Sequence, residues 1–146
     1  MLSNLERICP TYLLTTSDQL RMPAKPGDVG YNLPASADVM LYPDAITKIP
    51  TNINVKIPDG NFGIITARSS SVFKNNLLIF TGIIDSGYTG ELIIACMLMH
   101  HKIFKVEKGQ SVAQLILFPA TVFPIGLVDE LPSTERGESR FGSSGH

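Results

Sequence analysis

Residues 51–67, TNINVKIPDGNFGIITA, decide the fold. Ile53, Val55 and Ile57 alternate with polar residues, which places three aliphatic side chains on one side of an extended chain. Pro58 to Asn61 then supplies a Pro-Asp-Gly-Asn turn, and a second apolar run starts at Phe62. Strand, turn and strand are therefore expected within these seventeen positions. Working outward, LLIFTGIID (77–85) and ELIIACMLMH (91–100) are expected to be strands on either side of TGIIDSGYTGEL (81–92), forming a hairpin that opens near Ser86. SVAQLILF (111–118) and VFPIGLVDEL (122–131) extend the series of strands. Ten prolines and twelve glycines at frequent intervals leave little room for a long helix. One helical turn is expected in SSSVFKNN (69–76), with serines as caps. The expected class is all-β, a sandwich or barrel.

A chain of 146 residues is enough for one core and too short for two. Its 44% hydrophobic and 17% charged residues, with a net charge of -1, suit a folded globular protein. That charge gives no basic field, so nucleic acid is not expected as a partner. A polyanionic small ligand needs only a few local arginines. No apolar run approaches the ~20 residues of a membrane span, and the N-terminal stretch lacks a signal-peptide pattern. A soluble, reducing, intracellular location is the expectation, with Cys9 and Cys96 as free thiols in apolar surroundings. His100 and His101 are adjacent, point apart and lack a third ligand, so they are expected to be a polar strand end and not a metal site.

Polar residues also stand where a plain sandwich has no use for them. PGDVGYNL (26–33) is a Gly-punctuated loop, and ARSSS (67–71) puts an arginine and three hydroxyls at a strand end, donors suited to phosphate oxygens. KGQSVAQLI (108–116) carries Gln114 inside an apolar strand. STERGESRFGSSGH (133–146) has the composition of a flexible tail, yet its single aromatic, Phe141, also suits a segment that orders over a ligand. Each stretch taken singly has a plainer reading: a turn for Arg68 and its serines, an inward amide for Gln114, a hairpin corner for Asp85.

Their order and combination alter that balance. GDVGYNLPAS, ARSSS, TGIIDSGYTGE, KGQSVAQLI and RGESRFGSSG follow one another as the five motifs of the trimeric dUTP pyrophosphatases do, and over nearly its whole length the chain resembles that family. The third motif is the most specific, and the wording GYTGE and KGQ is closer to viral, particularly retroviral, members. The resemblance implies a jelly-roll-like β barrel over residues 1–132 and a flexible C-terminal arm over 133–146 that closes on the active site. It further implies a homotrimer with shared sites and hydrolysis of dUTP to dUMP and pyrophosphate with Mg2+, held mainly through the triphosphate and waters without a protein metal site.

The resemblance also implies residue roles. Asp85 is the expected general base for water attacking the α-phosphorus. Main-chain groups along the opened hairpin, from Gly82 and Ile84 to Glu91, would meet the uracil edge, with Tyr88 against the deoxyribose. Arg68, Ser69, Ser70 and Gln114 would hold phosphates. From the arm, Arg136 would clamp the γ-phosphate, Phe141 would stack on uracil, and Gly142, Ser143 and Ser144 would complete the enclosure.

The chain departs from the pattern at Asn32, where the family usually has aspartate, and a carboxylate near the phosphates and metal waters becomes a neutral amide. Asp28, four residues earlier, is expected to point elsewhere. Ser70 replaces a glycine, Arg140 a glycine and Ser144 a threonine. These changes motivate a second expectation, a catalytically weakened nucleotide-binding or regulatory protein. A dCTP deaminase lacks its glutamate-centred signature here, and a purely structural trimer leaves the tail pattern without purpose.

Overall fold

The computed structural model describes residues 12–138. Ten strands and one helix follow in order: β1 (Leu14–Thr15), β2 (Tyr31–Pro34), β3 (Val39–Leu41), β4 (Ile46–Lys56), β5 (Asn61–Ala67), α1 (Ser69–Phe73), β6 (Leu77–Ile79), β7 (Gly82–Ile84), β8 (Glu91–Leu98), β9 (Phe104–Val106) and β10 (Ser111–Pro119). They form two four-stranded sheets, β1-β4-β8-β6 and β2-β10-β5-β7, with β3 and β9 as a separate pair. All ladder pairings are antiparallel, and the arrangement is the jelly-roll-like barrel expected. No helix among the described residues is long and apolar enough to cross a membrane.

Alternation is the cause of this packing. Along β8, Leu92, Ile94, Cys96 and Leu98 are buried while Ile93, Ala95 and Met97 turn outward. Ile53, Val55 and Ile57 enter the same core, joined from the second sheet by Leu33, Ile65 and Leu115. Each such side chain contributes about 1.5–3 kcal/mol on leaving water. The turn after β4 falls where the sequence put it, closed by the Asn61 amide donating to Pro58 O at 3.2 Å. Burial pushes the Cys96 thiol up to about 11, so it stays protonated near neutrality. Cys96 is free, as expected, and Cys9 lies outside the described residues.

Four local expectations are corrected. Residues 77–85 are not one strand: β6 pairs with β8 in one sheet and β7 pairs with β5 in the other, the chain crossing over at Phe80–Thr81. Consequently β7 and β8 are not partners in a hairpin, and the loop between them spans the two sheets. Residues 122–131 form no strand; beyond the Ala120 amide, which donates to Gly60 O at 2.8 Å, the chain runs exposed, with Val122, Ile125 and Leu127 at least 90% accessible. Three prolines and a glycine between 119 and 132 interrupt any ladder there. The helix is present, but no side chain caps it: Arg68 is its extended N-cap residue, and the buried Ser71 hydroxyl donates to Val112 O instead. His100 and His101 sit in the bend after β8, not at a strand end, with His100 Nδ1 accepting from the Lys102 amide at 2.9 Å.

Candidate active site

One cleft of about 500 Å³ gathers residues from three separate stretches of chain: Gly27, Asp28, Asn32, Arg68, Ser69 and Gln114 among them. Pairing explains the gathering. Asn32 on β2 is the Cα partner of Gln114 on β10, and Gln114 is in turn the partner of Thr66 on β5, two residues before Arg68. Residues opposite one another in an antiparallel sheet share a face, so the ladder itself sets amide beside amide and the guanidinium at the strand end.

Within this cleft the groups are held from behind. Arg68 is half-buried and donates through Nη1 to Ser111 O at 2.8 Å, which leaves its other N–H groups available; among the described residues it pairs with no carboxylate. Gln114 Nε2 donates to Ala67 O at 2.9 Å, so one of its two amide hydrogens is already engaged. Its Oε1 lies against Gly30, where a Cβ would sit only 2.0 Å away; any larger residue at position 30 evicts the amide. Ser69 lines the cleft, Ser70 is not among its lining residues, and Ser71 is wholly buried. Asp28 was expected to point elsewhere, yet it lines this cleft and is the sole carboxylate there among the described residues.

The second group of predicted residues stands apart. Asp85 is exposed at the end of β7, its main-chain oxygen accepting from the Tyr88 amide at 3.1 Å, and its carboxylate meets no partner among the described residues. Since Ile84 is the partner of Gly63 near the start of β5, Asp85 and Arg68 lie toward opposite ends of that strand, about 20 Å apart at ~3.3 Å per residue. A general base must reach its proton within about 3 Å or through one water. One chain therefore does not bring Asp85 and Arg68 to the same phosphate.

Gly82 and Ile84 lie on β7, and Tyr88 is half-exposed, its hydroxyl donating to Glu91 O at 2.8 Å. The Glu91 side chain is engaged within the fold: its Oε1 accepts from the amides of Thr51 and Asn52 at 3.1 and 2.8 Å. Sequence reasoning missed this structural use, because nothing in the wording of positions 51–52 announces a bulge. Arg136 is exposed on the arm, next to a turn in which the Gly137 amide donates to Thr134 O at 3.1 Å. Phe141, Gly142, Ser143 and Ser144, with Arg140, lie outside the described residues. No group of three or more His, Cys, Asp or Glu that could hold a metal is found among the described residues.

Comparison with known proteins identifies the family of the chain. The family model for dUTPase matches residues 17–145. The deoxyuridine 5'-triphosphate nucleotidohydrolase of Tropheryma whipplei is 34% identical over 122 residues, covering 82% of this chain and 84% of the relative. The Pol polyprotein of equine infectious anemia virus is 39% identical over 118 residues, which cover 81% of this chain and 10% of the polyprotein. Among solved structures, the Staphylococcus bacteriophage 80alpha dUTPase with dUpNHPP is similar at a TM-score of 0.83 and 32% identity, covering 92% of this chain and 99% of that one. The dUTPase of the S. aureus phage phi11, solved in a variant described with a structural Mg(II) ion, has a TM-score of 0.74 at 27% identity and covers 82% and 97%. Matched over nearly its full length by the family model, the chain belongs to the dUTPase family.

Proposed function

We propose that this protein hydrolyses dUTP to dUMP and pyrophosphate in sites completed between copies of the chain. The observation that carries the reading is the separation of two functional halves on one chain: a cleft with Arg68, Ser69 and Gln114, and, about 20 Å away along β5, an exposed carboxylate on Asp85. Neither half has a use alone. Supplying Asp85 from one copy and the cleft from another gives a phosphate-binding surface and a base on a common substrate, and closed cyclic symmetry repeats the arrangement. A homotrimer is the assembly we assign. The exposed apolar stretch 122–131 supports association as well, for Val122, Phe123, Ile125, Leu127 and Leu131 would otherwise stand in water.

In this site Arg68 binds phosphate oxygens with its remaining donors, aided by Ser69 and by the free hydrogen of Gln114. Ser70 stands beside Ser69 at the helix start, outside the cleft lining, and is the further hydroxyl proposed to reach the phosphates. Asp85 accepts the proton of a water that attacks the α-phosphorus in line with the departing pyrophosphate. Main-chain groups of the crossover loop, freed because β7 and β8 belong to different sheets, pair with the uracil edge, and Tyr88 lies against the deoxyribose. Any group that left a buried polar atom unpaired there would lower affinity for the wrong base. Arg136, Phe141 and the Gly142–Ser144 segment close the site and exclude water.

The donors present fit a magnesium ion of the kind that keeps its waters. One carboxylate, Asp28, and neutral oxygens line the cleft, a set that cannot cage a metal and suits one shared with substrate phosphates. Mg2+ bound there would neutralise phosphate charge and orient the leaving group. Asn32 contributes an amide oxygen in place of the family's carboxylate, so Asp28 carries the negative charge on this side of the site.

The same Asn32 favours a second reading, a nucleotide-binding regulator with weakened turnover. Pyrophosphate release from dUTP, dTTP, dCTP and UTP separates the two. We expect turnover of dUTP alone; tight dUTP binding with turnover slowed by orders of magnitude selects the regulator, and release from none of the four without binding removes both.

A further inference from the structure

The register between β4 and β8 is broken between Pro50 and Asn54. Pro50 is not its cause: it stays in register with Ile93, and its main-chain oxygen points away from β8 to accept from the Ser36 amide at 2.8 Å. The residues that follow it make the bulge. Asn52 takes a left-handed conformation (φ 55°), and the Thr51 and Asn52 amides, lost to the ladder, converge on a single carboxylate oxygen, Glu91 Oε1. Thr51, buried, fastens the same corner by donating from Oγ1 to Leu92 O at 2.6 Å and accepting from the Ile53 amide at 3.1 Å.

From this corner two hydrogen bonds reach the loop that follows Asp85. Asn54 Nδ2 donates to Thr89 O at 2.8 Å. Glu91, fixed by its side chain, offers its main-chain oxygen to the Tyr88 hydroxyl at 2.8 Å. Tyr88 folds so closely over Gly90 that a Cβ at position 90 would lie 2.5 Å from the phenol oxygen and 2.7 Å from Cζ. The ring is thus held at its tip by Glu91 and beneath by the bare Gly90 backbone. The loop has no ladder of its own, so these contacts, with the turn in which the Tyr88 amide donates to Asp85 O, are what fix it.

We propose that the β4 bulge is the brace of the nucleoside side of the site, and that Glu91 and Asn54 are positioning residues which act through Tyr88 and Thr89 to set how strictly deoxyribose is chosen over ribose. The inference rests on the reading that Tyr88 faces the sugar. A ring shifted by about 1 Å no longer closes the space a 2'-hydroxyl would enter, and misplacements of that size change rates by up to about 100-fold.

The test compares dUTP and UTP as substrates of the full chain and of Glu91→Ala, Glu91→Gln and Asn54→Ala. We expect the dUTP:UTP ratio of kcat/KM to fall about tenfold in Glu91→Ala and Asn54→Ala. Glu91→Gln, which keeps an acceptor oxygen for both amides, should hold the parent ratio. Equal loss on both substrates, or an unchanged ratio in a folded Glu91→Ala, would mean that Glu91 only holds the fold, and the proposal fails. Should Glu91→Ala not fold, Asn54→Ala decides alone, since it removes one loop contact and leaves the carboxylate corner whole. Amide exchange gives a readout free of activity: faster exchange at Tyr88, Thr89 and Gly90 with Ile94 and Cys96 unchanged supports the brace, and no change at those three overturns it. A parent inactive on dUTP but with braced exchange behaviour would indict the assigned substrate and not the brace.

Discussion

The Gln114 side-chain oxygen occupies the space that a Cβ on residue 30 would fill, 2.0 Å away. Gly30 is therefore needed for close approach, its φ being unexceptional. In Gly30→Ala the flexible end of Gln114 must swing out and break its bond to Ala67 O, at a net cost of about 1 kcal/mol. We expect a modest fall in Tm together with a several-fold rise in KM for dUTP and a smaller change in kcat, measured by thermal unfolding and steady-state kinetics. Unchanged kinetics would show that the amide has no part in substrate binding.

Among the described residues, Asp28 is the only carboxylate lining the cleft that contains Asn32. Asp28→Asn should weaken divalent binding, and Asn32→Asp should strengthen it, each by about tenfold. Mn2+ titration followed by electron paramagnetic resonance, with a non-hydrolysable dUTP analogue present, checks both without relying on turnover. Equal affinities in the parent and in Asp28→Asn would leave the metal to the phosphates alone.

Asp38 and Lys105 form an exposed pair at 2.7 Å between β3 and β9. The hydrogen bond from Lys105, then that from the Lys108 amide, holds the Asp38 carboxyl below its ordinary 3.8, and Asp38 in turn holds the Lys105 ammonium above 10.5. A lowered acid stabilises the fold above its unfolded pKa and loses that contribution as pH falls through the lower folded value. The raised lysine contributes fully below its unfolded pKa and loses its share as pH rises through the higher folded one. Asp38→Asn should thus lower Tm slightly at pH 7, less in high salt, and progressively less as pH falls below 3.8 toward the lowered folded value.

Cys96 packs in the core with its thiol raised to about 11 by burial. In the native protein it should resist alkylation at pH 7.5, and react once urea has unfolded the chain. Rapid native labelling at Cys96 would show that β8 opens far more readily than its burial implies.

Much of the fold was legible because its strands alternate. Ile53, Val55, Ile57 and the Leu92–Leu98 series carry a period of two that only a half-buried sheet uses. What periodicity cannot show is which sheet a strand joins. Residues 77–85 look like one apolar run, and their division between sheets at Phe80–Thr81 depends on partners distant in sequence. The apolar letters of 122–131 suggested a strand, yet with no partner strand among the described residues they stay exposed. At the site, ordered motifs identified the cleft residues. The bonds from the Glu91 carboxylate to two stray amides were not legible, because a carboxylate beside a loop has the same letter whether it meets a ligand or the backbone. Asp28 was set aside on sequence distance, although a turn in which its amide donates to Lys25 O brings it to the cleft.

The division of labour between Asp85 and Arg68 can be tested most directly by mixing two disabled proteins. Asp85→Asn and Arg68→Ala, each expected to be nearly inactive, are unfolded together at equal concentration and refolded. If every site takes Asp85 from one copy and Arg68 from another, random assembly restores roughly one quarter of the parent dUTP turnover. Activity that stays at the level of the separate variants, with mixed oligomers demonstrated, would place both groups on one chain and contradict the shared site.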